Sequence, residues 1–121
     1  MKKILIVEDD SFLKNLESAK FTHEGFEVVT TSSEKETVEM LPTIHPDIIL
    51  LDLMLPDVDG LSLLEKIRNN ETTKTTPIIV FSNVADENQT KRALEMGAND
   101  FMLKSNFTLG DIIEKIHAII K

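Results

Sequence analysis

Glu8, Asp9, Asp10, Asp52, Ser82 and Lys104 each stand just after a short apolar run. Ile4-Leu5-Ile6-Val7 leads into the three acids, Ile48 to Leu51 into Asp52, Pro77 to Phe81 into Ser82, and a last short strand, Asp100 to Leu103, apolar after its first residue, into Lys104. The run before Asp52 has no polar alternation, which fits a strand buried on both faces in the middle of a parallel sheet. A charged side chain at the carboxyl end of such a strand sits where open α/β sheets place their ligand sites. Asp52 is therefore the leading candidate for chemistry. In a parallel sheet all carboxyl ends share one edge, so the acids, the hydroxyl and the ammonium meet in one cleft.

Their charges restrict what that cleft can do. Two carboxylates ~4 Å apart at an effective dielectric of ~20 repel by ~4 kcal/mol. Asp9, Asp52 and Glu8 or Asp10 thus need a counter-charge or must keep a proton. Hard oxygen donors without His or Cys suit Mg²⁺ or Mn²⁺. Mg²⁺ is usually held by one or two carboxylates together with substrate phosphate. A carboxylate beside such a cation can attack a phosphoryl group and form an aspartyl phosphate. Lys104 can pair with one phosphoryl oxygen and Ser82 can hydrogen-bond another.

The elements that position these residues follow from periodicity. After the first strand, Leu13, Leu16 and Ala19, with Phe12 beside them, predict a helix capped by Asp10 or Ser11 and stopped near Gly25. Phe26 to Thr31 reads as a less buried strand. Ser33 and Glu36 resemble a capping box for a second helix, with Val38 and Leu41 inward and Pro42 helping to end it. Pro56, Asp57, Asp59 and Gly60 supply turn chemistry after Asp52. Leu61, Leu63, Leu64 and Ile67 mark a third helix, Glu87 to Met96 a fourth. A fifth, capped by Thr108, carries Leu109, Ile112, Ile113, Ile116, Ile119 and Ile120 inward. Strict βα alternation with short loops predicts an α/β fold, a parallel sheet with helices on both faces.

The 121 residues suffice for one domain and one core. A chain 41% hydrophobic and 28% charged reads as an ordinary soluble globular protein. No apolar run approaches the ~20 residues of a membrane span, and no signal-peptide pattern opens the chain. Cysteine is absent, which removes disulfides and thiolate metal sites and fits a cytoplasmic location. A net charge of −8 argues against tracking nucleic-acid phosphates. His23, His45 and His117 show no metal-ligand spacing.

Over essentially its whole length the chain resembles a response-regulator receiver domain of bacterial two-component signalling, of the CheY-like superfamily. Glu8-Asp9, Asp52 in Leu51-Asp52-Leu53-Met54-Leu55-Pro56 with Asp59-Gly60 following, Ser82, Lys104 and Phe101 carry the resemblance. It implies a flavodoxin-like (βα)5 sheet of order 2-1-3-4-5. It implies that Asp52 is the phosphoacceptor, taking a phosphoryl group from a histidine kinase or phosphotransfer protein. Asp9, Asp52 and the backbone carbonyl of Met54 then hold Mg²⁺, with Glu8 reaching it directly or through water. Ser82 and Phe101 become the switch, altering the face formed by helix 4, strand 5 and helix 5 for a protein partner or a second copy. Met54 and Val84 flank the path of hydrolytic water. Two positions depart from the family pattern. Ser105 follows Lys104 where proline is usual, and Asn83 stands where a small residue is usual.

Residues 1–121 are thus expected to form one receiver domain, with no segment left for an output domain. The expected function is a phosphorylation-controlled binding module that catalyses only its own phosphorylation and dephosphorylation. Two rivals share its residues. A metal-dependent phosphatase with Asp52 as nucleophile would want a second acid where Met54 stands. A pseudo-receiver scaffold would not need the full set of side chains. A flavin-binding flavodoxin is a third rival, opposed by the acidic loop after the first strand.

Overall fold

Ten elements alternate through the computed structural model, which describes residues 1–57, 59–83 and 86–120. They run β1 (Lys3–Val7), α1 (Ser11–His23), β2 (Glu27–Thr31), α2 (Glu34–Ile44), β3 (Ile48–Leu51), α3 (Gly60–Asn69), β4 (Ile78–Ser82), α4 (Glu87–Glu95), β5 (Asp100–Leu103) and α5 (Leu109–Ile119). The strands form one parallel sheet of order β2-β1-β3-β4-β5. The CheY-like flavodoxin fold implied by the sequence is the fold observed.

Sheet position explains the strand sequences. β1, β3 and β4 are interior strands and must be apolar on both faces. Ile4 to Val7, Ile48 to Leu51 and Ile78 to Phe81 are all buried. β2 is an edge strand, and Glu27 to Thr30 are partly or fully exposed, as a less buried run requires. One apolar layer joins Leu5, Val7, Ile49, Leu51, Ile78 and Val80 to α2, α3 and α4. The other joins Ile4, Ile6, Ile48, Leu50, Ile79, Phe81 and Met102 to α1 and α5.

Caps fix where each helix starts, and so where each strand end points. Asp10 caps α1 by accepting from the Leu13 N–H. Ser33 caps α2, but Glu36 reaches the Ser32 N–H rather than closing a full box. Thr108 and Asp111 form a reciprocal capping box on α5. Asp59 caps α3. Gly60 then begins α3 against the loop after β3, where a Cβ would lie 2.3 Å from the Leu53 Cα. Only glycine permits that approach, which holds the loop following Asp52 tight against the helix.

Periodicity left the buried face of α1 open, and one expectation, the end of α2, is corrected. In α1 the inward positions are Glu17 and Phe21, whereas Phe12 is 75% exposed, Leu16 is 47% exposed and Ala19 is also exposed. The helix carries apolar residues on two faces, and the face bearing Phe21 is the one the sheet and α5 cover. Pro42 lies inside α2, which continues to Ile44. There the chain ends on His45 in the left-handed region, at φ 47°. Ile44 packs into the core, and its burial favours the extra turn that proline alone disfavours.

Candidate functional site

Asp52 emerges directly from β3, its N–H bonded to the Val7 carbonyl of β1. It is only 5% exposed, and its carboxylate is held from three sides. Ser82 Oγ donates to Oδ1 at 2.8 Å, and the Met54 N–H donates to the same oxygen at 3.0 Å. Lys104 Nζ donates to Oδ2 at 2.7 Å. The same ammonium donates to Oε1 of Glu8 at 2.7 Å, while Glu8 Oε2 accepts from the Asp10 N–H. The Lys104 N–H bonds to the Ser82 carbonyl, so the ends of β4 and β5 are locked together beneath the ammonium.

The four strand ends therefore bring Glu8, Asp52, Ser82 and Lys104 into one hydrogen-bonded cluster. Asp9 stands beside them on the solvent side. Carboxylate oxygens of Glu8, Asp9 and Asp52 all lie within 4.8 Å of one another. Three hard oxygen donors at that spacing fit a small divalent cation. The formal charge agrees, since Lys104 offsets only one of the three acids. Asp10, also considered from sequence, serves as the α1 cap. Lys104–Ser105 is not a cis bond. Asn83 is exposed. Met54, 57% exposed, stands at the rim; Val84, its expected companion, lies outside the described residues.

The electrostatics follow from this packing. Burial raises the Glu8 carboxyl, and the Asp52 charge adds to that, against the opposing pull of the Lys104 bond and charge. Burial also works against the Lys104 ammonium, but its bonds to Asp52 and Glu8 outweigh it and hold it above the ordinary lysine value. Phe101 pairs with Val80 across β4–β5 and is partly buried against the α3–α4 layer.

Sequence reasoning missed the roles of two further acids. Asp57 caps the neighbouring helix α2 from the loop after β3, accepting from the Glu34 and Lys35 N–H groups. Those bonds hold its carboxyl below the usual range. Glu17, on the buried face of α1, is 1% exposed and its Oε1 has no hydrogen-bond partner. Burial, reinforced chiefly by the Glu8 charge, pushes its carboxyl up to about 8. The Leu13–Glu17–Phe21 spacing on α1 was the available signal.

Five short parallel strands, an acidic cleft at their carboxyl ends and a lysine bridging two of its acids define a receiver-type switch domain. Residues 4–117 match the response regulator receiver domain family, and the chain belongs to it. The response regulator ArlR of Staphylococcus aureus is 33% identical over 121 residues, covering 100% of this chain and 53% of that protein. The chain thus spans about half the length of that curated relative. Among solved structures, the BeF3-activated N-terminal receiver domain of Klebsiella pneumoniae RstA superposes with a TM-score of 0.89 at 28% identity, covering 99% of each chain. The receiver domain of the sensor histidine kinase PA1611 from Pseudomonas aeruginosa, with magnesium in its active-site cleft, gives 0.88 at 27% identity, covering 98% of this chain and 97% of that one. Receiver domains of two-component response regulators are phosphorylated switches rather than turnover enzymes. No described helix is long and apolar enough to cross a membrane.

Proposed function

We propose that this chain is a Mg²⁺-dependent phosphorylation switch with Asp52 as its acceptor. The observation that carries the reading is the Lys104 bridge. One partly buried ammonium donates to both Asp52 and Glu8 at 2.7 Å, so the acceptor is oriented and close to a charge that can meet a phosphoryl oxygen. Glu8, Asp9 and Asp52, with the Met54 carbonyl, are the residues that would hold Mg²⁺. When bound, the cation offsets charge on the incoming phosphate.

The chain's own residues supply the rest. Oδ2 or Oδ1 of Asp52 attacks phosphorus as the donor's leaving group departs in line. Lys104 leaves Asp52 for a phosphoryl oxygen. Ser82 Oγ, now on Asp52 Oδ1, shifts toward another. Ser82 ends β4 and Phe101 pairs with Val80 on the same strand, so this shift is one strand removed from the α4–β5 surface. On that surface a groove of about 430 Å³ runs between Glu87, Thr90, Lys91, Leu94 and Leu103. Its apolar lining suits a protein partner or a second copy of the domain.

A histidine kinase or phosphotransfer protein is the phosphoryl source, and the setting is cytoplasmic. Residues 1–121 act as the receiver unit. The test is intact mass after incubation with a small phosphodonor. The wild type should gain one phosphoryl group with Mg²⁺ and none with chelator, and Asp52→Asn should gain none. A steady release of phosphate from a generic monoester would instead favour the phosphatase reading.

A further inference from the structure

Asp57 is an exposed carboxylate that the switch mechanism leaves unused, yet it bonds across the fold. Its Oδ1 accepts from the Glu34 N–H at 3.0 Å and its Oδ2 from the Lys35 N–H at 3.3 Å. These are the first two residues of α2, whose N-cap Ser33 already serves the Glu36 N–H. Donors at an exposed helix start are commonly left to water. Here one side chain takes both, and the helix dipole favours its charge. Lys66 of α3 reaches the same place, with Nζ 2.7 Å from Glu34 Oε1. The start of α2 is therefore fastened both to the loop after β3 and to α3.

That loop carries the Met54 backbone, whose N–H donates to Asp52 Oδ1 at 3.0 Å. Met54 and Asp59 face each other in an isolated antiparallel bridge, so they form the base of the turn that contains Asp57. The base is fixed on its Asp59 side. Asp59 caps α3, and the Gly60 N–H bonds the Leu53 carbonyl at 3.1 Å. On its Met54 side, Leu55 packs partly buried against the core layer that α2 and α3 cover. Pro56 has a fixed φ, so a movement at Asp57 is passed along the turn rather than absorbed beside it.

We propose that Asp57 is a positioning residue for Met54: by binding the start of α2 it holds the Met54 N–H on Asp52, and with it the Met54 carbonyl. The carbonyl half of this inference rests on the Mg²⁺ reading given above, and the N–H half does not. Asp57 touches neither the acceptor nor a cation. It acts through the turn, so that donors and ligands are in place before anything binds and need no reordering when it does.

Amide hydrogen exchange and MgCl₂ titration calorimetry on the whole chain test this from both ends of the tie. Asp57→Ala removes the acceptors. It should expose the Glu34 and Lys35 amides, speed exchange at the Met54 amide, and weaken Mg²⁺ binding about fivefold, the scale of one lost helix cap. Asp57→Glu keeps both oxygens and should recover most of the affinity. At the other end, Glu34→Pro removes the N–H that Asp57 Oδ1 accepts, at a position where helices accept proline. Glu34→Ala keeps that N–H and loses the Lys66 pair equally, so proline should weaken Mg²⁺ binding more than alanine does. Exchange at the buried Ile116 of α5 should match wild type throughout. Met54 exchange that rises only in step with Ile116 would indicate general destabilisation and overturn the proposal. Unchanged Met54 exchange, or unchanged Mg²⁺ affinity where wild type binds the ion, would make Asp57 a helix cap alone and overturn it too. If wild type binds no Mg²⁺, the cation reading fails by itself, and Met54 exchange, measured without cation, still decides the positioning role.

Discussion

Lys104 Nζ lies 2.7 Å from Oδ2 of Asp52, an ion pair between the ends of β5 and β3 that are separated in the sheet by β4. The same nitrogen pairs with Glu8 at the end of β1. One side chain therefore spans the central strands at their carboxyl edge. The cleft is assembled before any phosphoryl group arrives.

Removing that ammonium should expose how much charge the cleft contains. Lys104→Met leaves Glu8 and Asp52 buried without their partner. A loss of roughly 3 kcal/mol in urea unfolding at neutral pH is expected. The raised Lys104 value means its contribution is complete below the unfolded lysine value and disappears only as pH climbs through the folded one. The deficit of the variant should therefore be fully present at pH 7 and should shrink on acidification, as Glu8 takes up a proton. Millimolar Mg²⁺ should recover part of it. A variant as stable as wild type would contradict the bridging role.

Gly60 and Gly110 provide a paired test of the turn after Asp52. Gly60→Ala brings a Cβ within 2.3 Å of Leu53 backbone, so helix or loop must shift. A destabilisation of at least ~2 kcal/mol is expected in thermal or denaturant unfolding. At Gly110 the nearest atom is Thr108 Oγ1 at 3.5 Å, and the position is helical. Gly110→Ala should be neutral or stabilising by up to ~1 kcal/mol. Equal effects at the two positions would show that the Leu53 contact does not govern the turn.

Glu17 makes a separate prediction about stability. Its folded value, about 8, lies above the ordinary glutamate value of 4.5. The unfolded chain then loses its proton first, and stability falls as pH rises from about 4.5 to about 8. Above that window the full penalty remains, with an upper bound of about 5 kcal/mol. Glu17→Leu should remove this slope and melt higher than wild type near pH 8. A parallel pH profile for the two proteins would count against a buried acid.

How these residues relate to the sequence differs from one to the next. Asp52, Ser82 and Lys104 stood out because each follows an apolar run, and period-2 and period-3.6 patterns are strong where a strand is doubly buried or a helix has one apolar face. α5 shows this well, with Ile112, Ile113 and Ile116 buried as read. In α1 the helix itself was legible but its buried face was not, because Phe12 and Leu16 form a second apolar stripe beside the buried one. Helical periodicity identifies a helix but cannot choose between two stripes. Pro42 misled for a related reason: local propensity favours a stop, and the burial of Ile44 overrides it. Asp57 and Glu17 were invisible because their roles depend on a partner element, α2 in one case and the elements that bury α1 in the other.

Met54 bears on the lifetime of the phosphorylated state. Its side chain is at the exposed rim two residues after Asp52 and has no strong hydrogen-bonding group to orient water. Self-dephosphorylation should be slow in wild type and faster in Met54→Asn. Loading both proteins, removing the donor and following phosphoprotein loss with Mg²⁺ present measures this. Equal decay, or a faster wild type, would assign control to something other than Met54.

The central claim is that Asp52, among several clustered acids, is where the phosphoryl group lands. Reductive trapping reads this directly, because borohydride converts an aspartyl phosphate to homoserine. Wild type phosphorylated with Mg²⁺, trapped and mapped by peptide mass spectrometry should carry homoserine at position 52 and nowhere else. Homoserine at Asp9, Asp57 or Asp59, or a trapped product in Asp52→Asn equal to that in wild type, would contradict the account.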